Sequence, residues 1–263
     1  MTLKDKVAIV TGSGGGGTGR ATACRLAREG ALVVVNDINQ SGGHETVSRI
    51  ESEGGCAAFC LADMGQEPEI RALFDFAESR FGGVDVLVNN ASSPDGLGQL
   101  TGWVESIQTE LLGPMRATLL AIEAMRRRGG GAIVNIGSTS ALGHGRKHSR
   151  WPSYDTGKMA VMRLTTTLGP LRDQENIRVN CLVPHWVAVP EVKKYWEALT
   201  PEERRVKNVP PKLIELDEVA QAIVLLVTDE NLGGRALILW DGPRAELISA
   251  TDPGYAATEP YKL

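Results

Sequence analysis

A run of glycines near the start of the chain constrains its fold more than any other feature. Six of the eight residues 12–19 are glycine, in TGSGGGGTG (11–19), directly after the apolar run VAIV (7–10). Apolar residues at helical spacing begin near Thr18, so a strand leads through a glycine turn into a helix. Glycine adopts positive φ without strain and lets backbone amides approach a ligand. Because a helix N-terminus favours anions, the segment predicts a phosphate-binding loop.

Strand-sized apolar runs recur along the chain, with helical segments between them. The runs are 7–10, 31–35, 56–62, 84–88, 132–136, 177–183 and 236–240. The helical segments are about 18–29, 40–53, 67–81, 101–127, 153–172 and 216–228. Apolar runs without polar alternation are typical of parallel strands that are covered on both faces. We predict an α/β fold: a Rossmann-like, doubly wound, seven-stranded parallel sheet with helices on both faces, in one domain (1–263). A (β/α)₈ barrel would need an eighth strand and does not predict the glycine turn.

Two segments interrupt this alternation. Residues 184–215 are rich in aromatic and charged side chains, and the C-terminal tail 243–263 contains several prolines. Long excursions from a compact fold often cover a ligand, so 184–215 is predicted to be a substrate-covering insertion. A merely solvated insertion is the alternative.

Charge and composition exclude several classes of partner. The net charge of the 263 residues is −4, and the basic residues are scattered, so nucleic acid is not expected to bind. No apolar run approaches the roughly 20 residues of a membrane helix, and the N-terminus lacks a signal-peptide pattern. We therefore expect a cytoplasmic protein. The four cysteines show no C-x-x-C spacing, so we predict buried thiols and no metal site.

An acidic residue follows the second predicted strand. Asp37 lies 18 residues after Gly19, and its neighbours Asn36, Ile38 and Asn39 add no positive charge. A carboxylate at this position binds both ribose hydroxyls and repels a 2′-phosphate, so the pattern predicts NAD rather than NADP. An ordinary turn acid is the alternative. A mononucleotide P-loop is disfavoured, because Thr18 stands where that motif requires lysine.

Tyr154 and Lys158 lie one turn apart on a predicted helix. A free tyrosine is a poor base at neutral pH, but an adjacent ammonium and a positive nicotinamide ring both stabilise its phenolate. Ser138, sixteen residues upstream of Tyr154, follows the fifth predicted strand at the sheet edge where ligands bind. The alternative is that Tyr154 and Lys158 are two ordinary surface residues of a helix. Together with the glycine loop and Asp37, the three residues indicate a hydride-transfer site.

These motifs together resemble the short-chain dehydrogenase/reductase (SDR) family, from Lys4 to Gly242. The matching pieces are the loop at 11–19, Asp63 after the third strand, NNA (89–91), Ser138, YDTGK (154–158) and RVN (178–180). No single piece is specific to the family, but the combination is.

The resemblance implies a role for each matching residue. Tyr154 would exchange a proton with the substrate oxygen while hydride passes between substrate and nicotinamide. Ser138 would hydrogen-bond that oxygen, and Lys158 would tune Tyr154 and hold the nicotinamide ribose. Asp63 and Met64 would border the adenine, Asn90 and Ala91 would line the cleft, and Val187 would lie beside the carboxamide. The implied cofactor residues are Thr11, Gly12, Gly17, Thr18, Gly19, Asp37, Ile38, Asp63, Met64, Asn90, Ala91, Tyr154, Lys158 and Val187.

Three departures from the family pattern lie near this site. The glycine loop is one residue longer, since Gly17-Thr18-Gly19 takes the place of the final G-x-G. Glu110 stands where the family has a catalytic asparagine; it could accept a hydrogen bond from a water or pair with Lys158, and its charge would oppose that of the lysine. Ser92 replaces a glycine, a change expected to alter only packing.

Further departures fall in the segments that would contact substrate. His185 replaces a glycine near the nicotinamide, and Val189 replaces a threonine that would hydrogen-bond the carboxamide. His144, His148 and His185 could form a polar cluster, although surface histidines are favoured. Five aromatic residues could wall an apolar pocket or fill the core: Trp103, Trp151, Trp186, Tyr195 and Trp196. The stretch 143–151, between Ser138 and Tyr154, is longer than is usual in the family.

The predicted function is an NAD-dependent oxidoreductase that acts on a small or medium apolar alcohol or ketone. The alternative is a non-catalytic NAD(H)-binding sensor on the same scaffold, which the substitutions at Glu110, His185 and Val189 would suit. Substrate identity would depend on the loops 92–100, 143–151 and 184–215. The resemblance also implies a homodimer or homotetramer, with 101–127 and 153–172 at one interface and the last strand at another.

Overall fold

Seven parallel strands form the centre of the computed structural model, which describes residues 2–93, 102–142, 152–241 and 245–249. The strands are β1 (Val7–Val10), β2 (Leu32–Asp37), β3 (Cys56–Leu61), β4 (Val86–Asn89), β5 (Gly131–Ile136), β6 (Ile177–Pro184) and β7 (Ala236–Leu239). Their order is β3-β2-β1-β4-β5-β6-β7, which reverses direction at β1 and β4 as in a doubly wound sheet. The predicted Rossmann-like architecture is confirmed.

The sheet has one strand more than predicted. β8 (Ala245–Leu247) pairs antiparallel with β7 at the sheet edge, with Leu237 opposite Leu247. Its three residues are exposed, so they carry no apolar run that could reveal a strand in the sequence. Residues 243–244 and 250–263 of the C-terminal tail, most of 92–100 and all of 143–151, including His144, His148 and Trp151, lie outside the described residues.

The helices cover both faces of the sheet. They are α1 (Thr18–Arg28), α2 (Gln40–Ser52), α3 (Glu67–Phe81), α4 (Trp103–Ile107), α5 (Gly113–Arg127), α6 (Pro152–Thr167), α7 (Leu171–Glu175), α8 (Pro190–Glu197), α9 (Pro201–Val206) and α10 (Leu216–Thr228). Alternate strand residues face opposite cores: Ala8 and Val10 pack with α1 and α10, whereas Ile9 packs with α3 and α5. This two-sided burial is why the strands lack polar alternation.

Two predicted helices are interrupted. The segment 101–127 contains α4, a π-helical turn (Gln108–Leu112) and α5, and the segment 153–172 is divided between α6 and α7. Apolar spacing does not distinguish a π turn from α-helix over five residues.

The excursion 184–215 is partly helical and closed at its base. It contains α8 and α9, and a parallel bridge joins Val187 to Ile214. The amide of Ala188 donates to the Ile214 carbonyl, and the amide of Ile214 donates to the Trp186 carbonyl, both over 2.8 Å. Residues between these bonds therefore form a folded insert whose two ends are joined at the sheet edge.

The prediction of four buried thiols is only partly right. Cys24 and Cys181 are buried, but Cys56 is exposed at the start of β3 because that strand lies at the edge of the sheet. Within the described ranges, no cluster of metal-ligating side chains is present. None of the helices described here is long and apolar enough to cross a membrane.

Candidate active site

The glycine loop is held in place by residues that follow β4. Gly12 has φ +65°, and a Cβ on it would lie 2.7 Å from Cα of Ala91. The Asn90 side chain donates to the carbonyls of Thr11 and Gly12, over 2.9 and 3.0 Å. The Thr11 hydroxyl accepts from the amides of Asn90 and Ala91, both over 3.0 Å. The NNA segment therefore fixes the shape of the loop.

The outer part of the loop is open. A Cβ on Gly15 would meet nothing within 4 Å, and Gly17, the N-cap of α1, makes no side-chain capping bond. Gly17 lies close enough to Val189 that a Cβ would approach its Cγ1 to 3.3 Å. An uncapped helix N-terminus that begins at Thr18 has amides available for an anion.

Asp37 ends β2 beside the loop. Its Oδ2 accepts from the Gly14 amide over 2.7 Å, and its Oδ1 accepts from the Asn39 amide over 2.9 Å. Each carboxylate oxygen has two lone pairs, so both keep capacity for a further donor. Ile38 and Leu61, which are 57% and 56% exposed, flank this carboxylate at the ends of β2 and β3. Leu61 was not among the residues predicted for the site, although it lies at the end of the β3 apolar run.

The two residues expected at the adenine lie at different depths. Asp63 lies half-buried in the loop that follows β3, and its Oδ1 accepts a hydrogen bond from the Gly65 amide over 2.8 Å. Met64 is buried, and its side chain packs in the core with Ile70 and Leu73. The methionine side chain therefore belongs to the core beneath the cleft.

Buried amides connect the sheet to the helices around the site. Asn89 donates to Asn135 over 2.8 Å, and Asn135 donates to Thr165 of α6 over 2.9 Å. Asn180, from the RVN motif, donates to the carbonyl of Leu232 over 3.1 Å. These bonds hold α6 and the β7 side of the sheet at fixed positions relative to β5.

Ser138 lies at the carboxyl end of β5. It follows Gly137, where a Cβ would lie 3.1 Å from both Sγ of Cys181 and Cγ of Met162, so glycine lets β5 approach α6 closely. The Ser138 hydroxyl lies 2.9 Å from that of Ser140 and accepts from the Ser140 amide. A turn of 3₁₀ helix, Thr139–Leu142, follows.

Tyr154 and Lys158 project together from the first turns of α6. The Lys158 ammonium lies 5.2 Å from the centroid of the Tyr154 ring. Tyr154 is half-buried and Lys158 is buried. Because α6 begins at the carboxyl edge of the parallel sheet, the tyrosine lies at the same edge as Ser138, Asp37 and the glycine loop.

Glu110 forms a buried ion pair with Lys158. Its Oε2 lies 3.2 Å from the lysine Nζ, and the two side chains are 1% and 6% exposed. Burial, the largest single effect, would lower the pKa of Lys158, but the Glu110 carboxylate together with Tyr154 and Cys181 more than offsets that penalty and raises the pKa above its usual value. Of the two roles predicted for Glu110, the structure shows pairing with the lysine.

Ser92 also contacts this carboxylate, so the expectation that it alters only packing is wrong. Its hydroxyl donates to Oε1 of Glu110, and the Ser93 amide donates to the same oxygen over 2.8 Å. The two departures from the family pattern are in direct contact. Ser92 and Glu110 are 18 residues apart in the sequence, so no local pattern predicts this contact.

His185 is tied to the residue that follows Ser138. Its Nδ1 lies 2.8 Å from Oγ1 of Thr139, and its ring lies edge-on to Trp240 with centroids 5.6 Å apart. The imidazole is half-buried at the carboxyl end of β6 rather than on the surface.

Three of the predicted aromatic residues stabilise the insert. Trp186 stacks on Tyr195 with centroids 6.2 Å apart. The Arg204 guanidinium lies 3.4 Å from the centroid of the Trp196 ring, whose Nε1 donates to the Pro210 carbonyl. Trp103 is instead exposed on α4. These contacts join α8 and α9 into one unit next to Val187 and Val189.

Comparison with known proteins assigns the family. Residues 6–200 match the family model of the short chain dehydrogenases. The 7α-hydroxysteroid dehydrogenase of Escherichia coli K12 is 32% identical over 232 residues, which cover 86% of this chain and 88% of that protein. A solved 7α-hydroxysteroid dehydrogenase, complexed with NADH and 7-oxo glycochenodeoxycholic acid, has a TM-score of 0.80 and 31% identity over 90% of this chain and 93% of that one. A variant of actinorhodin polyketide ketoreductase with NADPH has a TM-score of 0.80 and 31% identity, covering 92% and 98%. This chain belongs to the short-chain dehydrogenase/reductase family of oxidoreductases.

Proposed function

We propose that the chain is an NAD(H)-dependent dehydrogenase/reductase that interconverts an apolar alcohol and its ketone. The observation that carries the proposal is the Tyr154–Lys158 pair on α6, at the same sheet edge as Ser138 and an open glycine loop. The named relatives are enzymes, and nothing in the comparisons supports the alternative of a non-catalytic sensor.

The residues around the loop fit a dinucleotide. The uncapped start of α1 and the open face at Gly15 suit a pyrophosphate, and Asp37 suits the adenosine ribose. Ile38 and Leu61 would cover the adenine with apolar surface, with Asp63 nearby. Asn90, Ala91 and Val187 would line the cleft toward the nicotinamide, which when bound supplies or accepts the hydride.

Tyr154 would act as the acid and base. Its hydroxyl would give a proton to the carbonyl oxygen in reduction and would take it back, as phenolate, in oxidation. Ser138 would hold the same oxygen by a hydrogen bond. Lys158, adjacent to the tyrosine ring, would fix its electrostatic environment and hold the nicotinamide ribose.

The insert 184–215 would cover an apolar substrate. α8 and α9 are joined by aromatic and cation–π contacts and attach to the sheet beside Val187, at the carboxyl edge. One solved relative is complexed with a 7-oxo bile acid conjugate and another is a polyketide ketoreductase, so cyclic secondary alcohols and ketones are the first compounds to screen.

The test is the change of Tyr154→Phe. We expect hydride transfer to fall by roughly 1000-fold or more, because the ring remains but the proton donor is lost. The measurement is NADH formation or consumption with a panel of cyclic alcohols and ketones. NADH affinity, measured by calorimetry, should change less than about threefold. Turnover undiminished in the variant would contradict the proposed mechanism.

We also propose that the protein is a homo-oligomer. α4, α5 and α6 expose several large apolar side chains, namely Trp103, Val104, Met115, Leu119 and Met159. Neighbouring helices that expose apolar side chains in this way form a candidate association surface, since a contiguous apolar patch marks a protein–protein interface.

A further inference from the structure

We infer that Glu110 is a positioning residue which acts through Lys158 to keep Tyr154 protonated at neutral pH, so that the enzyme works there as a carbonyl reductase. The inference rests on the proposed function and adds the direction in which the site is poised. The carrying observation is the direct contact of Ser92, Glu110 and Lys158.

The carboxylate of Glu110 is fixed from two sides. Oε1 accepts from the Ser92 hydroxyl and the Ser93 amide, which leaves Oε2 facing the lysine at 3.2 Å. Glycine at position 157 allows this approach, since a Cβ there would lie 2.7 Å from the Glu110 Cβ. A carboxylate that is hydrogen-bonded in this way is held in place and cannot easily turn away from the ammonium.

The ion pair changes what Tyr154 experiences. A lone ammonium near the tyrosine ring would stabilise the phenolate strongly, because that ammonium is buried. With the carboxylate 3.2 Å from the same ammonium, the pair is close to neutral and its field at the phenol is much weaker. The phenol form of Tyr154 therefore persists to higher pH than it would beside an unpaired lysine.

The other titratable groups around Lys158 do not replace this effect. Within the described part of the chain, the groups that act on the lysine are Glu110 from the π turn, Tyr154 from its own helix and Cys181 from β6. Burial raises the pKa of the Cys181 thiol to about 12, so it is neutral at physiological pH. Glu110 is the one negative charge among them.

The proton balance sets the direction. In reduction the carbonyl carbon gains the hydride, the π pair moves to oxygen, and that oxygen takes the proton as the Tyr154 O–H bond breaks. The phenolate left behind is then reprotonated from solvent. Oxidation requires the phenolate at the outset. Favouring the phenol therefore extends reduction to higher pH and confines oxidation to alkaline solution.

The direct test is a titration of Tyr154 in the protein without cofactor. The ultraviolet absorbance of the phenolate is followed against pH, and the curve of the matching Tyr154→Phe variant is subtracted. We expect Glu110→Gln to move the midpoint down by about one pH unit, since the opposing charge is lost. Glu51→Gln, which removes an exposed carboxylate from α2, should leave it unchanged. Coincident Glu110→Gln and wild-type curves, or a shift to higher pH, would overturn the inference.

A second variant guards against misfolding. Ser92→Gly combined with Glu110→Asn restores the family residues at both positions and should give the same downward shift, with folding checked by circular dichroism. If both variants unfold, the carboxylate is structural and the inference fails. Where wild-type turnover is found, the oxidative limb of the kcat profile should move with the titration midpoint. An absence of all turnover would refute the proposed function but leave the titration as the test of Glu110.

Discussion

At the scale of single residues, Asp37 performs two tasks with one carboxylate. It fixes the glycine loop through the Gly14 amide, and in the proposed cofactor complex its remaining lone pairs would accept hydrogen bonds from a ribose. A negative charge there also opposes a 2′-phosphate, which matters because solved relatives are complexed with NADH in one case and NADPH in another.

Asp37→Asn separates these tasks. The amide oxygen still accepts from Gly14, but the charge is lost, so we expect kcat/KM with NADH to fall roughly 10- to 100-fold and the preference for NADH over NADPH to shrink. Asp75→Asn, at an exposed position of α3, serves as the charge-matched control. Steady-state kinetics with both cofactors decides the matter, and an unchanged preference ratio would contradict the role of Asp37.

Asp85 stabilises the amino end of the parallel strands, which is the end away from the candidate site. It accepts from the Val7 amide over 2.9 Å and pairs with Lys6 and Arg128. Burial would raise the pKa of Asp85, but the bonds from Arg128, Val7 and Lys6 together lower it below its usual value. The stability contributed by a carboxyl with a lowered pKa is present above its unfolded pKa and is lost as pH falls through its folded pKa.

We therefore expect Asp85→Asn to lower the free energy of unfolding by about 1–3 kcal/mol at pH 7. The difference from wild type should begin to shrink as the pH falls below about 4, where the carboxyl of the unfolded chain becomes protonated, and should be lost once the folded carboxyl is protonated too. Denaturant titrations at a series of pH values measure it. A difference that stays constant down to acid pH would contradict the charged role of Asp85.

At the scale of elements, the π turn between α4 and α5 is decisive for the site. It carries Glu110 and packs against α6, so the buried carboxylate faces the lysine. π turns within helices occur frequently at functional sites. Gly157 makes the close approach of α6 possible.

Gly157→Ala tests this contact. On a free helix surface alanine would stabilise by about 1 kcal/mol relative to glycine, but here the added Cβ would collide with Glu110. We expect net destabilisation of about 1–3 kcal/mol and a loss of turnover, because α6 must move away from the π turn. Thr156→Ala, at the adjacent exposed position, should be neutral or slightly stabilising. Thermal unfolding of both variants compares them, and a stabilised Gly157→Ala would refute the close contact.

In the molecule as a whole, the exposed apolar faces of α4 to α6 belong to the same part of the fold as the candidate site. Tyr154 and Lys158 lie on α6, and Glu110 lies on the π turn between α4 and α5. An interface there would cover these faces and stiffen α6 from outside. Assembly and activity would then be linked by mass action.

We expect light scattering to give a mass that is a multiple of the single chain. Leu119→Lys should shift the population toward the monomer, since a buried lysine without a partner costs several kcal/mol at an interface. Val206→Lys places the same charge on an exposed position of the insert and should leave the mass unchanged. A monomeric wild-type protein would contradict the proposed assembly.

Much of this molecule follows from the sequence itself. Apolar runs without polar alternation determine parallel strands buried on both faces, and TGSGGGGTG determines a turn that only glycine tolerates at Gly12. The short exposed strand β8 and the π turn had no such local pattern. The sequence raised pairing with Lys158 as one of two roles for Glu110, but the hydrogen bond from Ser92 to the same carboxylate is visible only in the folded chain. Their contact depends on how a loop, a π turn and a helix pack together, and packing between segments distant in sequence is a property that no local spacing encodes.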